Sequence, residues 1–259
     1  MSRERGFALL MVLWTVALLA LLGTRIVAAG RAETRAAIAL RASAVAEAAA
    51  DGAIPETVFH LLDPPPHGWA ADGQARALTG GAATVTVRVT DEAWKVPLNG
   101  APVPLLQALL QEVGADSATA AALAQRMQDW RSDAEGPARL RPYRAAGRAW
   151  GPPGAPFREV DDLALLLGLT PALRARLAPH VTAFGETLPS PATPDPVVAR
   201  ALVRLAEGGV RLASTPGPRV LRIVAEASGN GARFVRIAVV RLEPDGAVPY
   251  RVLDWLGAE

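Results

Sequence analysis

The hydrophobic pattern opens on a block. Phe7 to Thr24 is an uncharged run of 18 residues, preceded by Arg3 and Arg5 and followed by Arg25. As a helix it spans about 27 Å, close to the ~30 Å hydrocarbon core of a bilayer, so the run predicts a membrane-crossing element. The two arginines ahead of it favour a cytoplasmic N-terminus. Beyond Arg25 the composition shifts to strong helix formers, with Ile38, Ala42, Val45 and Ala49 on one helical face. The pattern thus predicts one helix over 7–62, membrane-crossing over 7–24 and amphipathic after that. Gly52 and Pro55 weaken or kink it, and Asp63-Pro64-Pro65-Pro66 ends it. A plain signal anchor is the alternative reading of this leader; a cleaved secretory signal has a shorter apolar core and a small-residue cleavage site.

The period then changes to two. Ala83 to Thr90 alternates Val85, Val87 and Val89 against Thr84, Thr86, Arg88 and Thr90, after a Gly80-Gly81 turn signal. Val220 to Glu226 and Arg233 to Arg241 alternate in the same way across Ser228-Gly229-Asn230-Gly231, and Tyr250 to Trp255 follows Asp245-Gly246, which predicts an antiparallel meander. Between the first strand and the meander the texture is helical. Leu105, Leu106, Leu109, Leu110 and Val113 form one face stopped by Gly114, and Leu123, Met127 and Trp130 form the next. A second pair follows, with Leu163, Leu166 and Leu167 leading to Gly168, then Thr170-Pro171 opening Ala172 to Leu177. The two pairs make a weak internal repeat. Asp195-Pro196 starts a last short helix, Val197 to Glu207.

Composition narrows the chemistry. The 259 residues include no cysteine, which removes disulfides, thiolate nucleophiles and cysteine-ligated zinc. With 27 basic and 25 acidic residues the net charge is only +2, so no general affinity for nucleic acid follows. His60, His67 and His180 have no metal-ligand spacing, and His180 ends a helix where a cation suits the dipole. No nucleophile elbow, phosphate loop or glycine-rich strand-to-helix turn occurs, and Asp161-Asp162 reads as a solvated first turn rather than an acid/base pair. The chain reads as a non-enzyme.

On these residues a resemblance can be stated. A short basic leader ending in Gly6, with Phe7 opening an apolar helix that runs into the soluble domain, resembles the leader of type IV pilins and type II secretion pseudopilins. That class implies a prepilin peptidase cutting between Gly6 and Phe7, followed by methylation of the new N-terminus. The class usually carries a glutamate at the fifth mature position, where this chain has Met11. A carboxylate in hydrocarbon costs roughly 3 kcal/mol and needs a partner subunit to compensate it, so its omission suits a subunit at a fibre end.

Four further segments are similar to the general secretion pathway protein K family: Asp91-Glu92-Ala93-Trp94-Lys95-Val96-Pro97-Leu98-Asn99, Met127-Gln128-Asp129-Trp130-Arg131-Ser132-Asp133, Pro156-Phe157-Arg158-Glu159-Val160-Asp161-Asp162-Leu163 and Tyr250-Arg251-Val252-Leu253-Asp254-Trp255. The resemblance implies an α+β fold in which a long N-terminal transmembrane and amphipathic helix packs on an antiparallel, pilin-like sheet, with an inserted all-α domain. The expected organisation is a leader at 1–6, the helix at 7–62, a pseudopilin domain made of 63–95 and 185–259, and the helical insert at 96–184. The implied function is that of a minor pseudopilin at the tip of the type II secretion pseudopilus, working with the partner minor pseudopilins I and J. It would sit in the bacterial inner membrane as a single-pass protein with its soluble domain in the periplasm, and would help to initiate and cap the fibre. A minor pilin-like subunit of another type IV filament is the alternative.

The family also places calcium beside its Asp-Trp element, which implies Asp129, Asp133 and Glu135 as ligands. Downstream, however, Arg139 and Pro142 stand where the family has acids, which leaves an ion-pair network as the alternative. The helix–glycine–helix units raise a third function, DNA binding by helix-hairpin-helix modules. Each hairpin has one glycine where two are usual, and Glu112 and Asp116 would repel phosphate, so no nucleic-acid partner is expected.

Overall fold

A computed structural model describes the backbone of residues 3–258 apart from 65, 79–80, 82, 134–136, 186, 211, 213–216 and 244–245; side chains of 3–10, 26–29, 32, 137–138 and 258 are also outside the description. The first element, α1 (Arg3–Leu62), is one helix that runs through Pro55 without a break. Proline removes one N–H from the ladder. The run of alanines and the packing of this stretch carry the helix past the gap, and buried Thr57 turns its hydroxyl back to the Ala53 carbonyl at 2.6 Å. Asp63 still donates to Phe59 O, after which the prolines end the helix.

The face that α1 buries differs from the one predicted. It consists of Ala42, Ala46, Ala50, Ala53, Ile54, Val58 and Leu61, whereas Ile38 is exposed and Val45 and Ala49 are only half-buried. Alanine at successive turns lets the helix lie close to the sheet, and Ile38 extends beyond the covered length. Among the described residues no helix is long and apolar enough to cross a membrane. The apolar run beginning at Phe7 has described side chains only from Met11 onward, and there Leu13, Trp14 and Leu19 are each about two-thirds exposed or more (69, 71 and 67%).

The described residues form seven strands: β1 (Asp72–Leu78), β2 (Thr84–Asp91), β3 (Val96–Pro97), β4 (Val181–Thr182), β5 (Val220–Gly229), β6 (Ala232–Leu242) and β7 (Tyr250–Ala258). Five form an antiparallel sheet in the order β1-β2-β5-β6-β7. The register puts Val85, Val87 and Val89 opposite Ala227, Ala225 and Ile223, so the alternating apolar sets share the face covered by α1. Asn230 and Gly231, with φ of 50° and 81°, make the tight β5–β6 turn, a left-handed pair that matches the twist of the strands. β1 was not predicted: its sequence, Asp-Gly-Gln-Ala-Arg-Ala-Leu, has no apolar alternation, and pairing to β2 at the sheet edge defines it.

The helical block comprises α2 (Val103–Glu112), α3 (Ser117–Arg131), α4 (Pro137–Ala145), α5 (Pro171–Leu177) and α6 (Pro196–Glu207), with a 3-10 turn at Val160–Leu165 in place of the expected third helix. Asp116 caps α3 by accepting from Ala118 N and Thr119 N, Thr170 caps α5, and Asp195 caps α6. α4 went unpredicted because of its internal Pro142. The boundary expected at residue 184 does not separate the two cores. α6, assigned by sequence to the sheet domain, puts Val198, Ala201, Leu202 and Leu205 into the core of the helical block, against α2.

Candidate functional site

Three of the four family-like segments, 91–99, 127–133 and 156–163, meet at the neck where the helical block joins the sheet, and the fourth lies on the edge strand 250–258. β2 ends at Asp91, whose carboxylate accepts from Ala93 N at 2.9 Å and caps a 3-10 turn over Glu92–Trp94. That turn aims Glu92 inward, where it is fully buried and meets Lys95 Nζ at 3.1 Å and Arg222 Nε on β5 at 2.8 Å. Burial alone pushes the Glu92 carboxyl up, but Lys95 and Arg222, with a contribution from Thr182, outweigh it and hold the group below the usual carboxylate range. The ion triad ties the first turn of the block to the middle of the sheet.

Immediately beyond, the outgoing and returning chains pair. β3 and β4 are parallel, Val96 opposite Val181 and Pro97 opposite Thr182, and Leu98 N donates to Thr182 O at 2.8 Å. Asn99 completes the closure: its Nδ2 donates to Phe157 O and Ala183 O, each at 2.9 Å, and its Oδ1 accepts from Phe157 N at 2.7 Å. Arg131, at the end of α3, donates to Leu98 O at 2.5 Å and to Ala101 O, with Gln128 Oε1 bracing the guanidinium at 2.6 Å. Trp130 stacks on Phe157 with ring centroids 5.4 Å apart, and Ala155 N donates to Trp130 O. Three separate segments therefore hold one junction, through bonds that fix backbone rather than through groups arranged for proton transfer or nucleophilic attack.

The predicted site residues are distributed differently. Gly6 and Phe7 lie in the helical backbone of α1, with side chains outside the described residues. Asp129 turns its carboxylate back along α3 to Gln125 Nε2 at 3.0 Å, and its carbonyl accepts from the Arg139 guanidinium. Asp133 is exposed, and Glu135 lies outside the described residues. Calcium needs six to eight oxygens. Among the described residues no three His, Cys, Asp or Glu side chains gather for a metal, and the Arg139 guanidinium sits at the end of α3.

The two hairpin glycines are covered from within the block. Gly114, at φ +95°, faces the Arg176 guanidinium of α5, and Gly168, at φ +83°, faces Arg126 of α3, whose Nη1 donates to Leu167 O at 2.7 Å. Each helical pair thus caps the turn of the other. His180, expected merely to end a helix, pairs with Asp195 at 2.6 Å and links the end of the block to the cap of α6.

Sequence reasoning gave no role to Asn99, Arg131, Arg222 or Arg236. Arg236 carried a usable signal: it occupies an inward position of the alternating set Phe234, Ala238 and Val240. A charge on that face requires partners, and it has Asp51 at 2.5 Å and Glu47 at 3.1 Å, both on α1.

Comparison with known proteins agrees with this geometry. No curated protein matches the chain. Among solved structures, a chain of the GspK-GspI-GspJ complex from the enterotoxigenic Escherichia coli Type 2 Secretion System is similar at a TM-score of 0.61 and 16% identity, over 89% of this chain and 99% of that one, a likeness of fold. Residues 89–186, from the end of β2 through the neck and back, match the family described as Type II secretion system (T2SS), protein K.

Proposed function

We propose that the chain is the K-type minor pseudopilin of a type II secretion pseudopilus, a mechanical subunit at the fibre tip that helps to initiate and cap assembly. The observation that carries the proposal is the combination of a protein K domain with the scaffold it interrupts, one long helix laid on an antiparallel sheet. The similar solved chain comes from a complex with GspI and GspJ, and the corresponding minor pseudopilins I and J are the proposed partners here. The exposed apolar side chains from Met11 to Leu22 need cover. The inner membrane supplies it before assembly and neighbouring helices supply it afterwards. Prepilin peptidase would cut between Gly6 and Phe7, and the soluble part would stand in the periplasm.

The helical block gives a steric reason for a terminal position, since it adds a second core beside the sheet where an ordinary subunit would present a stacking surface. Deleting the gene tests the proposal: export of folded proteins across the outer membrane should fail while surface piliation persists. The reverse outcome assigns the chain to another type IV filament. Mass spectrometry of the mature protein should find methylated Phe7 at the N-terminus, and an intact Met1 would sink the leader assignment.

A further inference from the structure

The chain holds only two asparagines, and both sit in the same tripeptide, Asn99-Gly100-Ala101 and Asn230-Gly231-Ala232. Asn-Gly is the dipeptide most open to deamidation, because glycine puts no side chain in the way of its own nitrogen when that nitrogen attacks the asparagine side chain. The local chemistry of the two sites is thus matched, and the fold treats them differently.

Asn230 is exposed in the two-residue β5–β6 turn at φ 50°, and Gly231 follows it at 81°. That turn stands at the end of two strands, where local opening is least costly. Asn99 is pinned. Its Nδ2 donates to Phe157 O and Ala183 O at 2.9 Å each, and its Oδ1 accepts from Phe157 N at 2.7 Å. Arg131 holds the carbonyls on both sides of the dipeptide, Leu98 O and Ala101 O, and Gly100 N and Ala101 N both donate to Pro97 O. While these bonds stand, the side-chain carbon of Asn99 and the nitrogen of Gly100 cannot turn toward each other. Gly100 itself is exposed, so water and base reach the site once the bonds release.

We propose that Asn99-Gly100 is a deamidation site gated by the neck: a closed neck protects it, and an open neck is converted and can no longer close as before. In the open state Gly100 N gives its proton to solvent base and bonds to Asn99 Cγ. The Cγ–Nδ2 bond breaks, and the nitrogen leaves as ammonia with one proton taken from water. Water then opens the five-membered imide at either carbonyl, to aspartate or isoaspartate, so one water is consumed, one ammonia is released and no electron changes hands. The product carries a carboxylate where Asn99 had its NH2 donor, and the bonds to Phe157 O and Ala183 O are lost. The neck thereby keeps an irreversible record of its own opening. The inference needs only the folded neck and is independent of the pseudopilin assignment.

The test holds the full chain in detergent micelles at mildly alkaline pH and follows the amide-to-acid mass gain at each asparagine by peptide mass spectrometry. In concentrated urea the two sites should convert at similar rates, since they share a tripeptide. In the folded protein Asn230 should convert about ten-fold faster than Asn99, or more. Arg131→Met, which frees Leu98 O and Ala101 O, should raise conversion at Asn99 about ten-fold and leave Asn230 unchanged. If circular dichroism shows that variant unfolded, urea below the midpoint takes its place, and on the unaltered protein it should raise the Asn99-to-Asn230 ratio. Protein carrying the acid at 99, separated by ion exchange, should unfold at lower urea than protein carrying it at 230. Three outcomes would overturn the proposal: equal rates at the two sites in the folded protein, an Asn99 rate indifferent to the opening of the neck, or equal urea midpoints for the two converted forms.

Discussion

At the scale of single residues, Asn99 and Glu92 carry the neck by different physics. Asn99 makes three neutral bonds to backbone groups on two other segments, so Asn99→Ala leaves two carbonyls and one N–H without partners at a half-buried site. A loss of about 2 kcal/mol is expected, read as a lower urea midpoint with unchanged slope. Asn99→Asp should do no better, because it keeps the acceptor for Phe157 N but turns a negative oxygen toward two carbonyls. Glu92 is fully buried with a depressed pKa, and the sign follows from linkage. The unfolded chain binds the proton more readily than the folded one, so the stability due to this group is present above the ordinary carboxyl pKa of 4.5 and is lost as pH falls through the lower folded value. Glu92→Gln should flatten the acid limb of a stability–pH curve. At neutral pH it should cost about 3 kcal/mol, because Lys95 and Arg222 lose their shared counter-charge. An unchanged acid limb in the variant would show that the acid sensitivity lies elsewhere.

At the scale of elements, what could be read from the sequence followed periodicity closely. The strands with strict alternation, β2, β5 and β6, were placed to within a few residues, because their apolar sets must all face one covering helix. Elements whose existence depends on a partner were not: β1 is an edge strand of polar composition, and α4 holds Pro142. The covering face of α1 was misplaced because the amphipathic pattern in an alanine-rich helix is weak, and the sheet, not the helix, decides where cover begins. Arg236 joins the two elements. Its side chain is 9% exposed and lies over Phe234 and Trp255, 4.9 and 5.0 Å from their ring centroids, while Asp51 and Glu47 remain open to water. Removing the arginine therefore strands no buried carboxylate, and most of the loss should come from packing. Arg236→Ala should cost about 2 kcal/mol and Arg236→Met no more than half of that, measured by urea unfolding. The loop after α3 allows a further check. A calcium site working at 100 times its dissociation constant would add about 2.7 kcal/mol, whereas the Arg139 contact at the Asp129 carbonyl needs no ion, so neither chelator nor 10 mM calcium should shift the melting temperature.

At the scale of the whole molecule the chain is two cores on one thread. The cluster under α1 and the cluster within the helical block share no residue; the chain enters the block past β3, which pairs with β4 at the neck, and leaves it from α6 into β5. Such a construction stays whole only as far as its junction does. The β3–β4 pair, two residues long on each side, closes the base of the block together with Asn99 and Arg131, while the Glu92–Arg222 pair reaches the sheet. In the proposed tip position, force applied through α1 and the sheet would reach the helical block across the neck and through the α6–β5 connection, so both need reinforcement. The consequence can be measured by native-state hydrogen exchange. In the unaltered protein, amides in the middle of α3 and of β5 should open with free energies within about 1 kcal/mol of each other, as parts of one cooperative unit. With Asn99→Ala and Glu92→Gln combined, α3 should open well before β5, since the sheet retains α1 and the block retains only its own packing. Equal opening of the two in the double variant would show that α6, which returns from the block to feed β5, couples the cores without help from the neck.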